Sequence, residues 1–258
     1  MKLNFYKYHG AGNDFIMINN IDHKTILTTK QIALLCNRHL GIGADGLILL
    51  EKSKKYDFSM TYYNSDGYEG SMCGNGGRCV VAFAKKLNII KTDTIFEATD
   101  GLHRAEILNK NNYIIKLKLN DVNTIINEKE DFFIDTGSPH YIKFIEDVLK
   151  IDVYNEGKQI RTNYRKEGTN VNFAQIKKDS LFVRTFERGV EDETLSCGTG
   201  VTATAIAYAE KKHLSKGMVN ITTFGGDLRV WFEKSFDSYK NIWLEGPTKC
   251  VFTGEIDL

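Results

Sequence analysis

The sequence predicts an α+β fold of two pseudo-symmetric domains, each a mostly antiparallel curved sheet wrapped around a central helix. Two observations carry this reading. Runs of β-branched and aromatic residues with a period near two dominate the chain, and helical periods are few. Two stretches without a charge, Cys79-Val80-Val81-Ala82-Phe83-Ala84 and Val201 to Ala209, each follow a Cys-Gly-x-Gly frame. A helix apolar on all sides has to be buried on all sides. A sheet curved round one such helix, used twice, satisfies both observations.

The elements follow in chain order. Met1 to Gly10 alternates like a strand, and Thr29 to Cys36 has a helical apolar face. Phe58 to Tyr63 reads as a strand, followed by the first uncharged helix; Tyr113 to Leu119 reads as another strand. The polar stretch Asn120-Asp121-Val122-Asn123 then marks a boundary between residues 1–119 and 120–247. In the second half the apolar spacing of Tyr141 to Val148 suggests a helix. Leu181 to Phe186 and Leu228 to Phe232 read as strands on either side of the second uncharged helix. The strand around Val251-Phe252-Thr253 can return residues 248–258 to the first domain. The halves share one order of strand, polar loop, Cys-Gly-x-Gly and buried helix, which suggests an internal duplication.

Composition narrows the chemistry. A chain of 258 residues with 42% hydrophobic content can bury two cores. Its net charge of +1, with acids and bases interspersed, gives no footprint for nucleic acid or an anionic membrane surface. No apolar run approaches the roughly 20 residues of a membrane span, and the N-terminus lacks a signal core, so the expected location is cytoplasmic. Five cysteines without an export signal point to reduced thiols. The expected partner is a small molecule.

The frames Met72-Cys73-Gly74-Asn75-Gly76 and Ser196-Cys197-Gly198-Thr199-Gly200 carry the chemistry. Each cysteine precedes a helix start, where free backbone N–H groups and a partial positive charge lower a thiol pKa and bind a carboxylate. If both helix starts face a cleft between the domains, a carboxylate held there has its α-carbon between two sulfurs. One thiolate then removes the α-proton while the opposite thiol protonates the other face, inverting the centre without a cofactor. Cys73 and Cys79 lack the close spacing of zinc ligands, and no metal is expected. Cys36 and Cys250 read as structural.

Six segments in order resemble diaminopimelate epimerases: His9 to Phe15, Arg38 to Gly46, Asn64 to Gly67, Met72 to Cys79, Glu187 to Gly189 and Glu193 to Gly200. The resemblance covers nearly the whole chain. It implies pyridoxal-independent interconversion of LL- and meso-diaminopimelate, in the supply of lysine and peptidoglycan precursors, by Cys73 and Cys197. It further implies that Asn13, Asn64 and Asn170 contact substrate, and that the backbone of Gly74, Asn75, Gly198 and Thr199 holds the reacting carboxylate. Arg188 would grip the distal carboxylate, while Glu187 and His140 orient substrate or tune the thiols. Family members are often homodimers, so a homodimer is an expectation here.

Two positions depart from the family pattern. Ser138 stands where an asparagine often precedes the histidine by two residues, and Gly46 stands where some members have glutamine. The rival readings are a proline-racemase-type enzyme, whose first motif usually has histidine where this chain has Asn75, and a non-catalytic amino-acid-binding module.

Overall fold

A computed structural model describes residues 2–70, 72–109 and 113–258; Met1, at the head of the expected first strand, lies outside them. The chain divides into two compact units, residues 1–117 with 247–258, and residues 118–246.

The first unit contains β1 (Lys2–Gly10), β2 (Asn13–Asn20), α1 (Thr29–Cys36), β3 (Gly46–Glu51), β4 (Phe58–Asn64), α2 (Gly74–Lys86), β5 (Asp93–Ala98), β6 (Gly101–Asn109) and β7 (Ile114–Lys118). The terminal strand Lys249–Asp257 pairs antiparallel with β1, and β1 pairs antiparallel with β2. The ladder continues parallel to β3, antiparallel to β4, parallel to β5, then antiparallel through β6 to β7. Helix α2 packs against β1, β2, β3 and β6, and Cys79 through Ala84 are wholly buried. Their lack of charge is what allows it.

The second unit contains β8 (Thr124–Glu128), β9 (Asp131–Asp135), β10 (Pro139–Phe144), α3 (Val153–Asn163), β11 (Asn170–Ile176), β12 (Leu181–Glu187), β13 (Asp192–Thr194), α4 (Gly198–Lys211), β14 (Lys216–Thr223), β15 (Gly226–Ser235) and β16 (Ser238–Pro247). From β8 to β9 and β10 the ladders are antiparallel; β10 to β11 is parallel and β11 to β12 antiparallel. A parallel step to β14 and antiparallel steps to β15 and β16 complete the sheet. Helix α4 packs against strands of this sheet from β9 to β15.

The two ladders have the same succession of parallel and antiparallel steps, with α1 and α3, and α2 and α4, inserted at matching points. The terminal strand, β17, takes in the first unit the place that β8 takes in the second. The α+β duplication is thus present strand by strand. Among the described residues no helix is long and apolar enough to cross a membrane.

One expected element is different. Tyr141 to Val148 is not a helix: Pro139–Phe144 is strand β10, and the helix lies later, at Val153–Asn163. Ile142, Ile145 and Val148 recur at helical intervals, but His140 and Ile142 alternate inward, and the Ile145 N–H continues the strand pairing to Ala174 O at 2.9 Å. Partners on β9 and β11 override a short local period.

Candidate active site

In the first unit, strand register gathers the site residues at one end of the sheet. Phe15 stands opposite Gly46, and Gly46 opposite Asn64, so Asn13 and Asn64 share that end. Cys73 is the N-cap of α2, in extended backbone, and the first helical bond runs from Gly77 N–H to Cys73 O at 2.7 Å. Its sulfur donates to Asn13 Oδ1 at 3.5 Å, and Asn75 Nδ2 donates to the same oxygen at 3.3 Å.

A charged network sets the Asn13 amide. Asn13 Nδ2 donates to Asp45 Oδ2 at 2.6 Å, while Arg38 binds Asp14 through both terminal nitrogens and also reaches Asp45. Lys7 adds an ion pair to Asp14 at 2.7 Å. Burial alone would raise the Asp14 carboxyl, but its hydrogen bonds and ion pairs to Arg38 and Lys7 hold it well below the usual carboxylate range. Asn64 is exposed at the end of β4, where Gly67 N–H closes a turn onto its carbonyl at 2.9 Å.

Arg78, unremarked in the sequence, proves central to this end of α2. It is wholly buried, donates through Nη2 to Asn75 Oδ1 at 2.8 Å and through Nη1 to Gly74 O at 3.1 Å. Its Nε has no hydrogen-bond partner among the described residues. A buried guanidinium thus fixes which way the Asn75 amide points. The signal available in the sequence was an arginine inside an otherwise uncharged helical segment.

In the second unit Cys197 caps α4 in the same way, with Val201 N–H bonded to Cys197 O at 2.9 Å. Its sulfur lies 3.4 Å from Thr199 Oγ1. Ser138 Oγ donates to Thr199 Oγ1 at 3.3 Å and lies 2.9 Å from His140 Nε2. His140 Nδ1 faces Asn172 Nδ2 at 3.1 Å. His140 lies on β10 and is wholly buried; burial first, and then the Arg188 charge, push its imidazole down to about 3, so it is neutral.

Beside it, His140 stands opposite Asn170 on the parallel ladder. The Asn170 amide joins two backbone groups, donating to Pro139 O at 3.0 Å and accepting from Arg188 N–H at 2.9 Å. Glu187 accepts from Thr194 Oγ1 at 3.0 Å, and Arg188 Nη1 donates to Glu167 O at 3.3 Å. Two further thiols are inert: burial pushes Cys36 up to about 12 and Cys79 still further.

Each unit therefore presents a cysteine at a helix start, with the N–H groups of Gly74 and Asn75, or Gly198 and Thr199, in the first turn. Such a terminus can hold an anion and favour a thiolate.

Comparison with known proteins identifies the family. The sequence profile described as diaminopimelate epimerase matches residues 5–125 and 132–249. The diaminopimelate epimerase of Flavobacterium psychrophilum is 50% identical, covering 98% of each chain. That of Chlorobaculum tepidum is 42% identical over 96% of this chain and 99% of its own. Among solved structures, a phenazine biosynthesis protein of the PhzF family from Bacillus anthracis superposes with a TM-score of 0.80 at 15% identity, covering both chains fully. A hydroxyproline epimerase from Agrobacterium vitis gives 0.72 at 13% identity, covering 99% of this chain and 91% of its own. At those identities the structures speak for the fold alone, whereas profile and sequence identity speak for the family. The chain belongs to the diaminopimelate epimerase family.

Proposed function

We propose that this protein interconverts LL- and meso-diaminopimelate by a two-base reaction in which Cys73 and Cys197 exchange acid and base roles with direction. The observation that carries the reading is the pair of equivalent N-cap cysteines, one in each half of a duplicated fold. In this reaction the thiolate takes the α-proton and becomes a thiol. The electron pair left on carbon delocalises into the carboxylate, and the opposite thiol returns a proton to the other face, becoming a thiolate. The carboxylate sits at the N–H groups of Gly74, Asn75, Gly198 and Thr199, which stabilise the enolate-like charge as it develops.

Recognition of the distal end falls to polar groups. The planar fork of Arg188 suits the second carboxylate, and the amides of Asn13, Asn64 and Asn170 offer both donors and acceptors to a zwitterion. Glu187 accepts from the ammonium group. His140, held neutral, tunes the Cys197 side. The chemistry needs reduced thiols, which suits a cytoplasmic enzyme, and we place it there as a homodimer.

The test is incorporation of solvent deuterium at the α-position of diaminopimelate, compared with proline and lysine. Exchange confined to diaminopimelate, falling at least about 100-fold in folded Cys73→Ala and in folded Cys197→Ala, is expected. Binding without exchange by the reduced protein would leave only an amino-acid-binding module, and exchange of proline would favour a proline racemase.

A further inference from the structure

The two halves fill one position of their shared fold in opposite ways. Phe15 in the first unit and His140 in the second occupy matching places: each stands at the start of the parallel ladder, opposite Gly46 and Asn170 respectively. Two residues along the partner strands lie Ile48 and Asn172. All four side chains are wholly buried. Ile48 and Phe15 face the third residue after Cys73, and Asn172 the third after Cys197: a Cβ on Gly76 would meet Ile48 Cδ1 and Phe15 Cε1, and one on Gly200 would meet Asn172 Oδ1. The architecture therefore accepts an apolar pair here. Burying a histidine and an asparagine instead is unfavourable for folding unless every polar atom is bonded, so the second half maintains them for a reason other than packing.

Their hydrogen bonds have a direction. Asn172 Nδ2 lies 3.2 Å from Tyr141 O, which can only accept, while Asn172 Oδ1 receives the Thr185 hydroxyl at 2.9 Å. The amide therefore presents its N–H₂ to His140 Nδ1. That nitrogen has to be the unprotonated one, and the neutral ring carries its proton on Nε2. Nε2–H then donates to Ser138 Oγ, the Ser138 hydroxyl donates to Thr199 Oγ1, and the Thr199 proton is left to face the Cys197 sulfur.

We propose that Asn172 is a positioning residue that fixes the His140 tautomer, and thereby aims a hydrogen-bond relay through Ser138 and Thr199 that ends as a donor on Cys197. The inference rests on the two-thiol reading above and extends it to residues outside the cysteine frames. Ser138 is the link this chain supplies. Its counterpart two residues before Phe15 is Asn13, which meets its cysteine sulfur directly; the shorter serine reaches Cys197 through the Thr199 hydroxyl. A donor at sulfur stabilises the thiolate, so removing it raises the thiol pKa and slows every step that needs the anion.

Three measurements on the full-length enzyme test this. Long-range ¹H–¹⁵N correlation on ¹⁵N-histidine-labelled protein, with His140 identified by its absence in His140→Phe, is expected to show the Nε2–H tautomer; the Nδ1–H tautomer would overturn the relay. In the Cys73→Ala background, Ser138→Ala is expected to slow iodoacetamide alkylation of Cys197 near neutral pH by roughly 10-fold or more, the scale of one hydrogen bond to a charged group. With both cysteines present, Ser138→Ala should lower kcat by a similar factor with little change in KM, and Ser138→Thr should restore both readouts. An unchanged alkylation rate in folded Ser138→Ala, or no rescue by threonine, overturns the relay while solvent-deuterium exchange by the unaltered enzyme still supports the epimerase reading. Absence of that exchange sinks the reading itself.

Discussion

Asn13 Oδ1 accepts a hydrogen bond from the Cys73 sulfur at 3.5 Å, and the Asn13 amide is held in that orientation because its Nδ2 donates to Asp45 Oδ2 at 2.6 Å. An acceptor facing sulfur favours the neutral thiol. In the second unit, the chain from Ser138 leaves the Thr199 hydroxyl as a donor toward Cys197 at 3.4 Å, which favours the thiolate. Both sulfurs lie at a helix start, and an acceptor facing one with a donor facing the other distinguishes them.

Cys197 is therefore expected to be the resting thiolate and Cys73 the resting thiol. Substoichiometric iodoacetamide on the reduced, ligand-free enzyme, followed by peptide mass mapping, should label Cys197 first. The contrast is informative because Cys197 is the more buried of the two, at 7% exposure, so access alone would favour Cys73. Faster labelling of Cys73 would reverse the assignment.

Gly200 and Gly76 provide a matched pair of substitutions. A Cβ on Gly200 would lie 2.3 Å from Asn172 Oδ1, and Asn172 is tethered by Thr185, His140 and Tyr141. On Gly76 the nearest atom would be Ile48 Cδ1, at 3.1 Å, the free end of an aliphatic side chain. Gly200→Ala is expected to lose about 2–3 kcal/mol of stability and most activity, and Gly76→Ala less than about 1 kcal/mol. Urea unfolding of both variants measures the difference, and equal losses would show that the Asn172 tethers do not resist displacement.

Part of this was legible in the residues and part was not. The uncharged stretches Cys79 to Ala84 and Val201 to Ala209, one after each cysteine frame, announce the α+β duplication because a helix segment apolar on all sides has to be buried on all sides. The strand at Pro139–Phe144 is hidden in the sequence, since Ile142, Ile145 and Val148 mimic a helical period until β9 and β11 supply ladder partners. Asn172 carries no local signal of what it does, and Arg78 only its place in an otherwise uncharged helical segment. The direction of an amide, or the burial of a guanidinium, is decided by atoms such as Tyr141 O and Asn75 Oδ1 that only folding brings near.

Arg78 carries the next prediction. Its two donors order Asn75 Oδ1 and Gly74 O at the start of α2. Arg78→Ala removes both bonds and leaves a cavity among wholly buried neighbours, for an expected loss of about 3 kcal/mol. Arg78→Lys keeps the charge but not the planar fork, and is expected to recover stability only in part. Urea midpoints report both variants; a loss below about 1 kcal/mol in the alanine variant would mean that the guanidinium is not an organising element.

The buried imidazole gives a pH signature. An unfolded histidine titrates near about 6.5, whereas burial and then the Arg188 charge push His140 down to about 3. Between those values the unfolded chain binds a proton that the folded protein does not, so stability rises with pH. The His140 contribution is complete above about 6.5 and is lost as pH falls toward about 3, at up to about 1.4 kcal/mol per pH unit. His140→Phe installs the side chain that the first half uses at the matching place, Phe15, and removes this proton linkage. Urea unfolding at several pH values between about 4 and 7 is expected to show the stability of the unaltered protein relative to His140→Phe falling steadily as pH falls. Parallel stability curves for the two proteins would mean that His140 takes up a proton as readily when folded as when unfolded, contrary to its burial.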